Sequence, residues 1–166
     1  MQESQAPAEG TTQAPQGIVL WLWRWFWRVT LVVSLGYAWY CFYVPKNDIA
    51  WAGEYRSAKQ VAAQTEKPVI LFFTGKWCVP CRIMKRTVWA DDKVESVVNA
   101  GFTPILIDVG ETGASSEALE RYKAYVTPTT IIADAEGNVL EQVQGAMSKS
   151  EFLTLLEKPQ VSKLVP

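Results

Sequence analysis

The sequence predicts an α/β domain, a mixed sheet flanked by helices, preceded by one N-terminal transmembrane helix. Residues 18–44 are almost entirely apolar, with only two arginines among them. After residue 45, short runs of β-branched and aromatic residues alternate with segments of helical spacing. A chain of 166 residues is long enough for one ordinary domain and not two. We therefore divide it into a disordered tail (1–17), a transmembrane anchor (18–44) and a folded domain (45–166).

The composition excludes several classes of function. The chain has 16 Lys and Arg against 17 Asp and Glu. Its formal charge of -1 therefore lacks the excess of positive charge that nucleic-acid-binding proteins carry. It has no histidine, which excludes Ser-His and Cys-His nucleophilic pairs and every zinc site that needs histidine. Three cysteines are too few for a disulfide framework or an all-cysteine zinc site. We expect no metal site, and any chemistry must use cysteine, carboxylates, lysine or hydroxyls.

The apolar segment 18–44 is long enough to cross a membrane. As a helix it would span roughly 40 Å at about 1.5 Å per residue, against a hydrocarbon core of ~30 Å. Arg24 and Arg28 fit this interpretation if their side chains reach a headgroup layer. Aromatic residues near both ends are typical of interfacial belts: Trp21, Trp23, Trp25, Trp27, Trp39, Tyr40 and Tyr43.

A buried core helix and a cleaved signal peptide are the alternatives for this segment. A soluble domain of this size needs no such long apolar helix, and residues 39–42 (WYCF) offer no small-residue cleavage site. Basic residues are nearly balanced on the two sides, and we expect the N-terminus inside the cell and the domain outside. Cys41 lies in the anchor, where a small buried apolar residue is the expected role.

The elements of the domain follow from periodicity and turn residues. Continuous apolar runs and hairpin signals predict four strands: 68–74, 102–109, 129–133 and 139–144. Apolar residues at helical spacing predict helices: 48–65, 82–90, 92–100, 115–125 and a last helix with a capping box from Ser148 to Glu151.

The chemistry centres on WCVPC at residues 77–81, directly after a predicted strand and at the start of a helix. Cys78 would lie at the helix N-terminus, where free N–H groups and the helix dipole lower the pKa of a thiol. Cys81 would face the same side of the first turn and can close a disulfide with it. Lys76 adds positive potential, and Pro80 is tolerated in a first turn.

Two cysteines at this spacing can also be half of a zinc site or an inert pair. The chain has neither a second Cys pair nor a histidine to complete a zinc site. The position between strand and helix, with Trp77 beside the first cysteine, favours a redox-active pair.

Several motifs in order resemble the thioredoxin superfamily over residues 50–158. They are PVILFF, WCVPC, a strand ending in IDV (107–109), VTPT (126–129) and QGAMSK (144–149). Within the superfamily, TGKWCVPCRIMKRTVWADDKV is most similar to the C-terminal periplasmic domain of DsbD-type thiol:disulfide interchange proteins. The resemblance implies a thioredoxin-like fold, a central mixed sheet flanked by helices.

The resemblance also implies roles for residues outside the dithiol. Pro128 would be the cis-proline facing the cysteines, and Thr127 would offer backbone groups to a bound substrate strand. Trp77 and Gly145 would contribute to the substrate-binding surface around the dithiol. An ordinary turn proline and a plain turn glycine are the alternatives for Pro128 and Gly145.

The sequence departs from the family pattern at two positions. A buried Asp six residues before the first cysteine usually helps to move the proton of the second, and Phe72 stands there. Cys81 must then lose its proton to water, to Lys76 or to another group, or lose it more slowly. The helix-kinking proline five residues after the second cysteine is replaced by Arg86.

These features predict a membrane-anchored thiol:disulfide oxidoreductase with no cofactor besides the Cys78–Cys81 disulfide. Val79-Pro80 between the cysteines lacks the His of the family's oxidases, which favours a reductase of protein disulfides. We expect the anchor in a bacterial inner membrane, the domain in the periplasm, and an external thiol electron donor such as a membrane reductase.

Two other functions stay open at this point. One is an anchored peptide-binding or assembly module without redox turnover. The other is Cu(I) handling by Cys78 and Cys81 with Met84, which the lack of histidine disfavours.

Overall fold

A computed structural model describes residues 16–111 and 113–158 of the chain. The chain divides into two compact units, the first ending at Phe42 and the second beginning at Tyr43. Each unit is described separately. The predicted tail lies outside the described residues up to residue 15, and residues 16 and 17 begin the first helix.

The first unit contains one long helix, α1 (Gln16–Phe42). Within the described residues, its stretch Gly17–Phe42 is the one helix long and apolar enough to cross a membrane. Its large apolar side chains are exposed, from 43% for Val29 to 76% for Trp39. Such exposure fits a lipid-facing helix better than a buried core helix, because a core helix hides its apolar face.

The second unit contains five helices and four strands within the described residues. The helices are α2 (Tyr55–Thr65), α3 (Val79–Thr87), α4 (Asp92–Gly101), α5 (Ala114–Tyr122) and α6 (Lys149–Leu156). The strands are β1 (Val69–Thr74), β2 (Thr103–Asp108), β3 (Thr129–Ala133) and β4 (Val139–Gln144).

The strands form one mixed sheet in the order β2-β1-β3-β4. β1 pairs parallel with β2 and antiparallel with β3, and β3 pairs antiparallel with β4. Every residue of β1 is buried, as expected for the continuous apolar run at the centre of a covered sheet. The parallel pairing places the carboxyl ends of β1 and β2 at one edge, where β1 leads into the WCVPC segment.

The two faces of the sheet bury separate apolar clusters. Alternation along β1 sends Ile70 and Phe72 to one face and Leu71 and Phe73 to the other. We call the first the dithiol face, because Cys81 belongs to its cluster together with residues of α4 and α6. The active-site helix thus packs on the sheet through this face.

The predicted helix 48–65 is wrong in its first third, because α2 begins only at Tyr55. Of the residues before it, Asp48 and Ala50 donate their N–H groups to Glu95 and Asn99 of α4, and Ala52 pairs with β2. Ala52 forms a parallel bridge with Ile105, and its N–H donates to the Pro104 carbonyl at 2.8 Å. Trp51 then packs on Trp89 of the dithiol face, with ring centroids 4.9 Å apart. This pairing with a distant strand outweighs the helical spacing of the local sequence.

Two other helix boundaries also differ from the predicted ones. α3 covers residues 79–87 rather than 82–90, so the WCVPC segment contributes its first turn. α5 ends at Tyr122, three residues early, because Lys123 adopts a left-handed conformation with φ 51° that closes the helix. The predicted start of α6 is confirmed, and Ser148 and Glu151 form the capping box.

Candidate active site

Cys78 is the N-cap residue of α3, as the sequence predicts. Its backbone is extended, and its sulfur accepts a hydrogen bond from the backbone N–H of Cys81 at 3.2 Å. The N–H of Cys78 itself donates to the Gly75 carbonyl at 3.1 Å, which turns the chain from β1 into the helix. The Cys78 sulfur therefore lies where unpaired N–H groups and the helix dipole stabilise an anion.

Cys78 and Cys81 form a disulfide with their Cα atoms 5.3 Å apart. The two cysteines differ sharply in exposure, since Cys78 is half-buried whereas Cys81 is completely buried. An incoming nucleophile or disulfide can therefore approach Cys78, and Cys81 can be reached only from within the protein. This asymmetry is the arrangement that a sequential exchange reaction needs.

An open cleft of about 470 Å³ lies beside Cys78. Its walls come from the loop after β1, the end of β2 and the loop before β3, and its lining residues are Gly75, Lys76, Trp77, Cys78, Asp108, Val109, Gly110 and Thr127. Trp77 is 84% exposed, an unusual position for the largest apolar side chain. The cleft is open enough to admit an extended polypeptide segment.

The loop before β3 brings Thr127 to this cleft, and the buried Pro128 follows it without lining the cleft. The Thr127–Pro128 peptide bond is cis, as the resemblance implies. Gly145 donates its N–H to the Pro128 carbonyl at 2.7 Å, and its φ of 96° explains why a glycine follows β4. The hydroxyl of Thr129 donates to the Val126 carbonyl at 2.6 Å, which fixes the loop from its other side.

A family model of the thioredoxin-like domain matches residues 55–160. The chain belongs to the thioredoxin-like domain family. Its Cys-x-x-Cys pair, in the oxidised state in this structure, is that of a thiol–disulfide oxidoreductase of this family.

Known relatives of this thioredoxin-like chain include longer proteins. The thiol:disulfide interchange protein DsbD of Ralstonia nicotianae is 36% identical over 107 residues, which are 63% of this chain and 17% of that protein. Thioredoxin H3 of Arabidopsis thaliana is 32% identical over 99 residues, which are 60% of this chain and 76% of that protein. The chain therefore spans about a sixth of the DsbD protein that it matches.

Solved structures share the thioredoxin-like fold. A DsbH oxidoreductase superposes with a TM-score of 0.59 at 21% identity, covering 72% of this chain and 88% of the other. The oxidised C-terminal domain of Neisseria meningitidis DsbD gives a TM-score of 0.52 at 23% identity, covering 61% and 89%. At these identities the similarity concerns the fold alone.

Two predicted supporting residues occupy positions at the edge of the site. Lys76 is exposed and lines the cleft, and its carbonyl accepts a hydrogen bond from the Arg82 guanidinium. Pro80 is exposed in the first turn of α3, where its missing N–H leaves no hydrogen bond unmade. The third cysteine, Cys41, is a free, half-buried thiol in α1 and belongs to the other unit.

The two departures from the family pattern differ in their surroundings. Phe72 is fully buried on the dithiol face, and its ring centroid lies 5.2 Å from that of Trp89. Arg86 is half-buried in the last turn of α3, where a basic residue interacts favourably with the helix dipole.

Among the described residues, no group of three or more His, Cys, Asp or Glu side chains could hold a metal ion.

Sequence reasoning missed two charged residues that influence each other near the site, Lys85 and Asp108. Burial lowers the pKa of Lys85, and the negative charge of Asp108 partly offsets this effect. Asp108, which the sequence marks only as a strand-end residue, lines the cleft beside Cys78. The sequence contains an indication of each residue. Lys85 lies one helical turn after Cys81, and Asp108 ends β2, the strand that pairs parallel with β1.

Proposed function

We propose that the chain is a membrane-anchored reductase of protein disulfides that works outside the cytoplasm. The observation that carries this proposal is the Cys78–Cys81 disulfide, whose outer sulfur borders an open cleft and whose inner sulfur is buried. The proposed reaction needs no cofactor besides this pair.

The proposed mechanism starts from the reduced dithiol. The Cys78 thiolate, held at the N-cap of α3 by the Cys81 N–H, attacks a substrate disulfide and forms a mixed disulfide. The first substrate sulfur leaves as a thiolate and takes a proton. Cys81 then loses its proton and attacks the Cys78 sulfur, which expels the second substrate thiol. Two electrons pass to the substrate, and an external thiol donor must reduce the protein again.

The cleft supplies surfaces for the substrate in this proposal. The half-buried Thr127 presents its backbone beside Cys78, where an extended substrate segment can pair with it as an added strand. The exposed ring of Trp77, which also lines the cleft, offers apolar contact to the substrate. Pro128 and Gly145 hold the loop through the hydrogen bond between them.

The residues between the cysteines support the proposed direction of the reaction. Val79-Pro80 provides no histidine to stabilise the Cys78 thiolate, so the reduced form gains less stability than in the family's oxidases. A weakly stabilised thiolate supports a low reduction potential. We expect a value near ~-270 mV, the range of reducing thioredoxins, rather than ~-120 mV.

Insulin reduction by the full chain in detergent micelles, with dithiothreitol as donor, tests the activity. We expect the full chain to accelerate reduction well beyond dithiothreitol alone, and Cys78→Ser to remove this acceleration because the attacking sulfur is gone. Cys41→Ser is the matched control, since it removes a cysteine of the other unit and should keep full activity.

A wild-type rate equal to that of dithiothreitol alone would overturn the proposed reductase. It would favour the anchored peptide-binding module instead. A measured potential close to ~-120 mV would reverse the proposed direction without removing the exchange chemistry.

A further inference from the structure

The dithiol face carries a polar residue opposite the position where the family pattern has its buried acid. Phe72 occupies that position on β1, and its direct partner across the antiparallel pair with β3 is Thr130. Residues directly opposite each other in adjacent strands project from the same face of the sheet. Thr130 therefore lies beside Phe72 on the dithiol face, and it is completely buried.

Cys81 packs against this same face. Its cluster includes Phe72 from β1 and Ile132 from β3, and Ile132 lies two residues after Thr130 on the same side of the strand. Pro128, whose cis peptide bond borders the cleft, lies two residues before Thr130. Thr130 thus lies between Pro128 and Ile132, on the side of β3 that faces the cluster of Cys81.

The hydroxyl of Thr130 is buried without a hydrogen-bond partner among the residues that the structure describes. A buried hydroxyl with no hydrogen-bond partner lowers the stability of the fold, so a threonine at this position needs an explanation. The next residue provides a contrast, because Thr129 points to the opposite face and donates its hydroxyl proton to the Val126 carbonyl. The Thr74 hydroxyl is also unpartnered on the dithiol face, but it lies at the end of β1 rather than opposite Phe72.

No buried acid or base accompanies Cys81 in the described part of the domain, where the buried polar side chains besides tyrosine and tryptophan are four threonines. Charged groups on the elements packed against this face are half-buried or exposed: Arg82, Lys85, Arg86, Asp91 (paired with Lys149), Asp92, Lys93, Glu95, Asp108, Glu141 (paired with Lys158) and Glu151. The charge that develops on Cys81 therefore has no buried counter-ion. The unpartnered donors buried on this face of the described domain are the hydroxyls of Thr74 and Thr130 and the indole N–H of Trp89, and of these Thr130 lies directly opposite Phe72.

We propose that Thr130 is a positioning residue for the second exchange step, in which its hydroxyl hydrogen-bonds the Cys81 sulfur directly or through one water molecule. This inference rests on the proposed reductase function. In that step the S–H bond of Cys81 breaks and its sulfur bonds to the Cys78 sulfur. The bond from Cys78 to the substrate breaks, and the departing substrate thiolate takes up the proton. By donating to the Cys81 thiolate, Thr130 favours the form that attacks.

Titration of Cys81 in the reduced full chain, in detergent micelles and with ¹³C-labelled cysteine Cβ atoms, tests the inference. Cys78→Ser serves to assign the signals. We expect Thr130→Val, which keeps the shape and removes the hydroxyl, to raise the pKa of Cys81 by about one unit. The rate of the second step at neutral pH should then fall about tenfold. Thr130→Ser retains the hydroxyl and should titrate like the wild type.

Thr103→Val is the matched control, because Thr103 is a buried threonine of β2 on the opposite face of the sheet. Its Cys81 titration should equal that of the wild type. The inference fails if Thr130→Val titrates like the wild type, or if Thr103→Val shifts the titration equally.

The titration needs no substrate, so it separates this inference from the proposed function. An unshifted pKa in Thr130→Val with full wild-type insulin reduction would overturn the role of Thr130 alone. Absence of insulin reduction in the wild type would overturn the reductase, whatever the titration shows.

Discussion

At the scale of single residues, Trp89 fixes the dithiol face more than any residue of the WCVPC motif. It follows α3 directly and is completely buried. Its ring centroid lies 4.9 Å from Trp51, 5.2 Å from Phe72 and 4.9 Å from Phe152. These three rings come from the segment before α2, from β1 and from α6, so one indole joins three separate parts of the chain.

Replacing this indole should therefore destabilise the domain strongly. We expect Trp89→Ala to lower the free energy of unfolding by about 3–5 kcal/mol, because it leaves a large cavity among rings that cannot collapse into it. Trp89→Phe should cost clearly less, since it keeps a ring and removes an indole N–H that has no partner among the described residues. Denaturant unfolding of the full chain in detergent, followed by circular dichroism, measures both.

Trp77→Ala is the control for this pair of variants. Trp77 is 84% exposed, so its removal should leave the unfolding free energy nearly unchanged. An equal loss in Trp77→Ala and Trp89→Ala would contradict the central role of Trp89.

The residues of the site differ in how far the sequence reveals them. Cys78 and Cys81 are recognisable because the strand, the turn and the helix that place them are consecutive in the chain. Thr130 and Trp89 are not, because their positions depend on strand pairing and on packing between elements distant in sequence. Nothing near Thr130 in the sequence indicates that Phe72 will be its partner.

At the scale of elements, α6 shows how a local signal can define a boundary. The Ser148 side chain accepts from the N–H of Glu151 at 3.3 Å, and the Glu151 carboxylate accepts from the N–H of Ser148 at 2.7 Å. This hydrogen bond from the Ser148 backbone lowers the pKa of Glu151. Lys149 in the same turn pairs with Asp91, the N-cap of α4, at 3.0 Å. The start of α6 is therefore stabilised both by its own capping box and by the ion pair with the N-cap of α4.

The lowered pKa of Glu151 makes this cap sensitive to acid. A carboxylate whose pKa is lower in the folded than in the unfolded state stabilises the fold at pH values above its unfolded-state pKa of about 4.3. This stabilisation is lost as the pH falls from there through the lower pKa of the folded state. We expect Glu151→Gln to lower the thermal midpoint by a few degrees at pH 7 and to flatten the fall of the midpoint below about pH 5. Scanning calorimetry across this pH range measures both effects.

Glu157→Gln provides the comparison, because Glu157 is exposed at the opposite end of the same helix. Its pH profile should keep the slope of the wild type. If both variants flatten the profile to the same extent, the acid sensitivity belongs to the overall charge and not to the cap.

The contrast between α6 and α2 explains which elements the sequence can define. The start of α6 is decided by atoms within four consecutive residues, so its motif is sufficient. The start of α2 is decided by the bridge of Ala52 to β2, and this bridge breaks a run whose apolar spacing is helical. Strand β1 was predictable because burial on both faces leaves an unbroken apolar run.

At the scale of the whole molecule, the two units of the chain differ in whether their apolar side chains are buried or exposed. The second unit buries its apolar residues in two clusters around a sheet. α1 exposes its apolar side chains instead, and its charged residues, Arg24 and Arg28, both lie in its N-terminal half. The α/β class was predictable because alternating elements leave few sheet topologies. The long apolar helix α1 was predictable because the composition of residues 18–44 differs so much from that of the domain.

Arg24 and Arg28 fit the proposed anchor with its N-terminus in the cytoplasm, and Lys46, Arg56 and Lys59 nearly balance them on the other side. Residues 29–44 carry no charge, and arginine on the cytoplasmic side is the favoured orientation. We expect the full chain to stay in the membrane fraction after an alkaline wash. Leu35→Arg should weaken this retention, because arginine at the centre of a spanning helix costs about 2.5–3.5 kcal/mol. Lys46→Arg, a charge-neutral change outside α1, should leave it unchanged.

The side on which the domain lies can be read from the Cys78 thiol. In a chain with Cys41→Ser and Cys81→Ser, Cys78 is the one remaining cysteine. A membrane-impermeant maleimide should label it in intact spheroplasts as fully as after lysis, because the half-buried sulfur borders an open cleft. Labelling only after lysis would place the dithiol in the cytoplasm. A shortened chain in the soluble fraction would show instead that α1 is a cleaved signal sequence, since a signal peptide is removed after export whereas an anchor is retained.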